Sequence, residues 1–424
     1  QNWMQIWGLL GQYWVQFNKL VAFSCKRRGF CPSCGARRMA DSAAHLVDEV
    51  LPKRPIRQWV LSVPFPLRYL FATNPQVMSR VLTIVHRVIS AFLIKRSGRT
   101  VKSGAQSGAV TLIQRFGSAL NLNLHFHMLY LNGIYDANGY FWPVNPPTPG
   151  DLDEITHKIA RRVSRYLEGA GYLYRDAESE YLDIVTDEDD PMYGIISASI
   201  TYRLAFGPNA GKKAVTLQTV PTSDNRAKTS ELVSKQAGFS VHAGVACKSH
   251  QRKKLERLCR YITRPAIAEQ RLSLAGNGNV IVALKTPYDD GTSHVVLNPM
   301  EFMGRLAALV PKPRVNLTRF HGVFSPRSKL REFVVPAKPA EQAVTKDQPG
   351  SMGYSMTWAQ RLKRVFAIEI EKCEKCGGNV KIIACIEDAD VIEKILKHLR
   401  LDEASQARNR SPPEGLFSNS AQLF

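Results

Sequence analysis

The sequence predicts a mixed α+β fold, and three observations carry that prediction. Apolar and polar side chains alternate through residues 120–131, as a half-buried strand requires. Apolar residues recur at helical spacing through residues 75–94 and again through 255–262. The two kinds of pattern succeed one another along the chain. Composition agrees: 424 residues at 44% hydrophobic, 9% aromatic and 22% charged allow two or three domains with sizeable cores, and exclude collagen-like, low-complexity and wholly disordered chains.

The elements follow in order. Residues 59–63 read as a strand ended by Pro64 and Pro66, and residues 75–94 as a helix. Gly104 to Gly108 form a flexible turn, residues 110–114 a strand, and residues 120–131 a stronger strand closed by Asn132-Gly133, a hairpin-type turn. A proline-rich loop over residues 143–150 leads into a helix near 151–167. Residues 336–353 read as a linker, followed by a helix at 358–364, a strand at 380–386 and a helix at 389–399; residues 401–424 read as disordered.

The longest apolar stretch, residues 81–94, is interrupted by His86, Arg87 and Ser90 and falls short of the roughly 20 residues a membrane span needs. The first 24 residues carry Asn2, Gln5, Gln12 and Gln16 and no basic n-region, so neither a span nor a secretory signal is expected, and the chain is placed in the cytoplasm. Its first residue is Gln1, which reads as a fragment or an altered amino terminus.

Lys and Arg number 57 against 36 Asp and Glu, a net charge of +21 that calls for a polyanionic partner, nucleic acid or an acidic membrane surface. Residues 1–120 hold 17 of the basic residues and only Asp41, Asp48 and Glu49 as acids. A second cluster comprises Lys248, Arg252, Lys253, Lys254, Arg257, Arg260, Arg264 and Arg271. Between the two, residues 183–190 form an acidic loop unsuited to phosphate contact.

Eight Cys are few for a disulfide scaffold, but five lie close together: Cys25, Cys31 and Cys34 near one end, Cys373 and Cys376 near the other. Two thiolates spaced as Cys-x-x-Cys can point at one ion while a following Gly lets the backbone turn, so each pair supplies half a zinc site. Cys25 is a candidate third ligand and His45 a candidate fourth. Reduced structural Cys are the alternative, and Cys247, Cys259 and Cys385 read as ordinary buried thiols.

Within residues 121–130, Leu122, Leu124, Phe126, Met128 and Tyr130 fill one face, and Asn121, Asn123, His125 and His127 share the other. Two imidazoles about 7 Å apart at Cα by strand rise can chelate one divalent ion, or merely decorate a solvated polar face. His242 and Gln114 are candidates for a third ligand. Some 130 residues on, Leu255, Leu258, Cys259 and Ile262 make the apolar face of a helix limited by Pro265, with Tyr261 at its edge near Arg257 and Arg264. A phenol is a poor nucleophile at neutral pH unless cations lower its pKa or a metal polarises the phosphate.

Three ordered motifs carry a resemblance. Phe23-Ser24-Cys25-Lys26-Arg27-Arg28-Gly29-Phe30-Cys31-Pro32-Ser33-Cys34-Gly35-Ala36-Arg37-Arg38, the His125-Phe126-His127 strand and Arg260-Tyr261-Ile262-Thr263-Arg264-Pro265 resemble the rolling-circle insertion-sequence transposases of the IS-ninety-one and common-region type, which carry a HUH nuclease. The likeness runs from about Leu20 to His398 and includes His321-Gly322-Val323-Phe324 and Cys376-Gly377-Gly378. It implies a HUH-type nuclease domain with a central antiparallel sheet and helices, flanked by small Cys-containing modules: a partial zinc-binding region at 1–55, the nuclease at 56–335, the linker, a Cys-x-x-Cys module at 354–400 and the tail. It also implies that His125 and His127 hold a divalent metal, Mg or Mn, and that Tyr261 attacks a phosphodiester of a single-stranded element end, keeping a 5′-phosphotyrosine and freeing a 3′-OH. Zinc is implied at the Cys clusters, DNA is the implied partner with no membrane or small-molecule substrate, and Arg257, Arg260, Arg264, Lys253 and Lys254 are the candidate DNA contacts.

The chain departs from the family pattern twice. Arg257 stands where two-tyrosine members carry their first Tyr, so the likeness is to the single-tyrosine branch. No Cys occurs in residues 1–24, so the upstream Cys pair of the family's zinc domain is lacking, and a broken zinc site in an inactive copy is one expectation. Two other readings stand beside the transposase: a zinc-knuckle DNA-binding protein without catalysis, and a metal-dependent hydrolase using water. For base stacking along a single strand the sequence offers Phe116, Tyr130 and Tyr135, each equally a core residue.

Overall fold

The computed structural model describes residues 32–175, 180–182, 190–218 and 232–336, the strands Asn2–Gly8 and Asn18–Phe23, and, toward the carboxyl terminus, residues 358–366 and 377–386 with positions 369, 371, 372, 391 and 394. It divides into two compact units, residues 46–338 and residues 1–45 with 339–424.

The larger unit is built on an antiparallel sheet. Its strands are β1 (Ile56–Ser62), β2 (Gly108–Phe116), β3 (Leu122–Leu131), β4 (Val233–Gln236), β5 (Phe239–His242), β6 (Ala246–Cys247) and β7 (Thr318–Gly322), in the order β4-β5-β1-β3-β2-β7 with β6 paired to the start of β1. Its helices are α1 (Phe65–Thr73), α2 (Pro75–Arg96), α3 (Pro149–Gly169), α4 (Pro191–Ile200), α5 (Arg252–Thr263) and α6 (Pro299–Leu309). The class is therefore α+β, as the alternating patterns predict.

β3 lies inside the sheet, and its alternation decides what each face does. Leu122, Leu124, Phe126, Met128 and Tyr130 are buried with Trp59 and Leu61 of β1, and onto them pack Val81, Val85 and Ile89 of α2 and Leu152, Ile155, Ile159 and Val163 of α3. Each large side chain so buried contributes roughly 1.5–3 kcal/mol. Both helices start on well-capped ends. Pro75 sits in the first turn of α2 while the Asn74 side chain accepts from the Val77 N–H at 3.2 Å, and Thr148 and Asp151 form a reciprocal capping box at the start of α3. At 22 residues α2 is longer than its sequence pattern suggested and apolar enough to cross a membrane, yet half of its apolar window is buried in this core.

One expectation is overturned. Asn132-Gly133 is not a hairpin turn: Gly133–Tyr135 continues as a short strand against Phe141–Pro143, and the reversal falls at residues 136–140. The reason is tertiary, since the Asn132 side chain is held by Arg57 Nε at 3.0 Å and donates to the Val144 carbonyl at 2.8 Å. Tyr130 and Tyr135, candidates for base stacking, are both buried.

α5 lies against the other face of the sheet. Leu255, Leu258, Cys259 and Ile262 are buried as their spacing predicts, and Arg252 at its start donates to the carbonyls of Val47, Leu51 and Pro52. A second antiparallel sheet follows, in the order Val215–Gln218, Thr292–Leu297, Val280–Ala283, Leu272–Leu274. Arg271 ties it down, donating to the carbonyls of Ala283 (2.7 Å) and Ser118.

In the smaller unit Asn2–Gly8 pairs antiparallel with both Asn18–Phe23 and Val380–Ile386, so the two ends of the chain share one sheet. The helices Pro32–His45 and Trp358–Phe366 bury Met39, Ala40 and Val365 together. Cys25, Cys31, Cys373 and Cys376, the linker from residue 337, the tail and most of the acidic loop and of the helix read at 389–399 lie outside the described residues.

On the α2 side of the sheet His86 and His321 stack with ring centroids 4.8 Å apart, and His86 Nδ1 lies 3.0 Å from the Tyr130 hydroxyl. Burial, then the neighbouring His321 and Arg87, pushes His86 down to about 3; burial, then Arg319, pushes His321 down to about 4. Both therefore fold in the neutral form, while the unfolded chain takes up protons near pH 6.5. Stability of the larger unit is full above about pH 6.5 and falls as the pH drops toward 4, by up to about 1.4 kcal/mol per pH unit for each histidine. Urea unfolding followed at pH 7, 6, 5 and 4 checks this, and a flat profile across that window counts against it.

Candidate functional site

The register brings the polar residues of four strands together. Gln114 of β2 pairs directly with His125 of β3; His127 pairs with Val60 of β1, and Val60 in turn with His242 of β5. Directly paired residues point to the same side of a sheet, as do residues two apart on a strand, so Gln58, Gln114, His125, His127 and His242 share the face that α5 covers. The two imidazole rings are 5.0 Å apart, and the Tyr261 ring lies edge-on to His127 at 6.5 Å. The three residues picked from separate parts of the sequence thus meet in one place.

The hydrogen bonds around the rings decide which ring nitrogens can keep a lone pair. The Asn123 carbonyl, which can only accept, lies 2.8 Å from His125 Nδ1, so Nδ1 carries the proton and Nε2 keeps its lone pair. That Nε2 faces Gln114 Oε1 at 2.9 Å, while the Gln114 amide nitrogen donates to the Ile262 carbonyl of α5 at 3.0 Å. Two acceptors face each other there with no hydrogen between them. His127 Nδ1 is 2.6 Å from the Gln58 amide nitrogen, and its Nε2 is buried with no hydrogen-bond partner among the described residues. A half-turn of the Gln58 amide would place its otherwise orphaned oxygen on Nδ1–H and would leave His127 Nε2 with a lone pair.

Both rings stay neutral at ordinary pH. Burial is the main cause, opposed for His125 by the Asn123 carbonyl and reinforced by Arg264; His125 is pushed down to about 4 and His127 well below its usual value, with His125, Arg264 and His242 adding to the effect on His127. His242 is lowered by burial as well. Among the described residues no three His, Cys, Asp or Glu side chains gather as a metal cluster. The donor set at this face is instead two imidazoles and a carboxamide oxygen, with His242 two strands from His127.

Tyr261 is half-buried at the edge of α5. The Arg264 guanidinium lies over its ring at 4.0 Å and over Phe116 at 5.5 Å, and Lys285 Nζ donates to its hydroxyl at 3.3 Å. Burial pushes the phenol up, but the charges of Arg264 and Lys285 and their hydrogen bonds outweigh it, and the net shift is below the ordinary tyrosine value. Lys285 follows the strand Val280–Ala283 in the loop beyond it, 24 residues from Tyr261, and sequence alone had no signal for it. Gln58 was missed too, although it lies two positions before Val60 on an alternating strand.

The basic run divides. Arg257 and Lys253 are exposed, Lys254 and Arg260 are half-buried, and Arg264 is at the phenol. Arg252 and Arg271, counted in the same cluster, are used inside the fold. Cys34 falls in the helix Pro32–His45, and His45, at its end, is exposed.

Comparison with known families bears on this arrangement. A family model described as "Putative transposase" matches residues 108–331, more than half of the 424 residues, and spans Gln114, His125, His127, His242, Tyr261 and Lys285. A second, described as a transposase zinc-binding domain, matches residues 15–63, which include Cys25, Cys31, Cys34 and His45. No curated protein and no solved structure matches the chain.

Removing one of the two cations should raise the Tyr261 pKa. In Lys285→Met the phenol is expected to titrate at higher pH than in the unsubstituted chain, seen as a shifted tyrosinate absorbance after subtracting the Tyr261→Phe curve. Superimposable curves would show that Lys285 does not act on the phenol.

Proposed function

Given that the chain belongs to the IS-ninety-one family of transposases, we propose that it nicks single-stranded DNA at the ends of its element, with Tyr261 as the nucleophile. The observation that supports this best is the Tyr261 phenol beside His127, held below its ordinary pKa by Arg264 and Lys285. A phenolate is the competent attacking form, and two fixed cations favour it without a general base. The phenolate oxygen bonds to phosphorus and the P–O3′ bond breaks. The departing oxygen takes up a proton as the 3′-OH, and the 5′ side stays on the enzyme as a phosphotyrosine.

His125 and His127, with Gln114 as third ligand, would hold a divalent ion. The His125 Nε2 lone pair and the facing Gln114 carboxamide oxygen are acceptors without a donor between them, and His127 Nε2, with the Gln58 amide turned, is a third; a cation satisfies all three and a hydrogen-bond network does not. The chemistry such a hard ion, Mg or Mn, would supply is Lewis-acid polarisation of the scissile phosphate. Gln58 orients His127, and the Asn123 carbonyl orients His125. His242 stands two strands from His127 and is the weaker third ligand. Arg264, with Arg257, Arg260, Lys253 and Lys254 on the same helix, lines the approach of the phosphate backbone.

With Arg257 at the position of a first tyrosine, a single phenol serves each cleavage. The zinc module at 15–63 positions DNA in this reading, with Cys25, Cys31, Cys34 and His45 as its candidate ligands, and Cys373 and Cys376 as a second half-site. The protein works where its DNA is, in the cytoplasm with the nucleoid.

Incubation with a single-stranded oligonucleotide of an element end and Mn should give a covalent protein–DNA adduct that Tyr261→Phe abolishes. Cleavage without adduct would make the protein a hydrolase using water, and binding without cleavage would leave it a DNA-binding protein. Gln114→Ala should weaken Mn binding, measured by calorimetry on the Tyr261→Phe background, by roughly tenfold or more; unchanged affinity would exclude Gln114 as a ligand.

A further inference from the structure

A cavity of about 550 Å³ opens on the side of the sheet away from Tyr261, a size that pockets for one small ligand commonly have. Its place follows from register. Arg319 of β7 pairs with Thr111 of β2, which pairs with Met128 of β3, so Arg319 points to the Met128 face, opposite the two histidines of the site. The first turn of α2, Tyr166 of α3, and Tyr172 and Arg314 from the connecting segments complete the wall.

The lining is cationic and aromatic. Arg80, Arg314 and Arg319 reach it from three separate segments, and among the described residues neither Asp nor Glu lines it. Arg319 Nη2 lies 3.5 Å from Ser79 Oγ, while its Nε is buried without an acceptor among the described residues. Arg314 holds a left-handed backbone, φ +63°, which costs a non-glycine residue about 1 kcal/mol or more and which a glycine would adopt freely. Tyr172 is fixed by Asn74, which donates to its hydroxyl at 3.0 Å, and Asn74 is also the cap of α2, whose positive end opens on the same wall.

We propose that this cavity binds one nucleotide of a DNA single strand at a point remote from the scissile phosphate, with the phosphate on Arg80, Arg314 and Arg319 and the base against Tyr166 and Tyr172. The chemistry is that of single-strand recognition: three converging guanidiniums, Arg80 and Arg314 exposed and Arg319 half-buried, for the phosphate and two tyrosines for the base, tolerant of sequence. It rests on the transposase reading only for the identity of the strand. A strand bound on both faces must pass round the edge of the sheet, which fixes the distance between the anchored nucleotide and the nick.

The test is the binding of labelled single-stranded DNA, by fluorescence anisotropy, to the full chain carrying Tyr261→Phe, so that no adduct contributes. Arg80→Ala and Arg314→Gly, the latter also relieving the backbone, should each weaken binding severalfold, and only the loss of all three guanidiniums should make the log–log salt dependence shallower by about 0.7, the share of one phosphate. Tyr172→Leu should weaken it roughly fivefold or more. Lys102→Ala, removing an exposed charge elsewhere, should change it less than twofold. The proposal is overturned if the three cavity variants match Lys102→Ala, or if a free deoxynucleoside monophosphate at micromolar concentration displaces the strand, which would assign the cavity to a free nucleotide. Failure to form the Tyr261 adduct alongside intact cavity effects would sink the catalytic reading and leave this one standing.

Discussion

The structure depends on one strand serving two incompatible environments. β3 passes through the interior of the sheet, and its alternation sends Phe126, Met128 and Tyr130 into a dry core under α2 and α3 while His125 and His127 go to the opposite side. Because the side-chain period is two, slipping β3 by one residue would put both imidazoles among the aliphatic side chains under α2 and α3 and turn Phe126, Met128 and Tyr130 toward α5. The packing that makes the domain stable is therefore also what holds the two rings 5.0 Å apart.

The site is an electrostatic compromise set by a few fixed charges. Arg264 acts on three groups at once: it lowers the pKa of the Tyr261 phenol and of both histidines. The first effect favours a phenolate and the others favour uncharged imidazoles, so a single guanidinium pushes the phenol and both rings toward the forms that the proposed nicking would use. Burial works against the phenol and with the histidines, so the tyrosine needs a second cation, which Lys285 supplies. Arg271 anchors the strand just before Lys285 to the carbonyl of Ser118, which makes a residue of the basic run a support for the site.

The same distinction runs through the charge of the whole chain. A net +21 suggests a surface given over to polyanion binding. Several arginines serve the fold instead. Arg252 holds the carbonyls of Val47, Leu51 and Pro52, Arg115 those of Ala308 and Leu309 at the end of α6, and Arg57 that of Ala243. Guanidinium suits this use because its planar fork satisfies several orphan carbonyls from one side chain. Surface charge available to DNA is correspondingly smaller than composition implies, and where it gathers, beside Tyr261 and around the cavity behind the sheet, aromatic rings accompany it.

Local pattern by itself determined the class of the fold, the β3 alternation that sets His125 and His127 on one face, the α2 and α5 helices, and the strand at Val380–Ile386. These are properties of spacing, and strands and helices have fixed periods that a sequence displays directly. Only the tertiary structure decided that Asn132-Gly133 is not a turn, because Arg57, 75 residues away, claims the Asn132 side chain. It alone brought Gln114 opposite His125, Gln58 onto His127 and Lys285 onto Tyr261, and it alone sorted the arginines into structural and accessible. Such pairings depend on strand register and on which elements cover which face, and neither leaves a periodic trace along the chain.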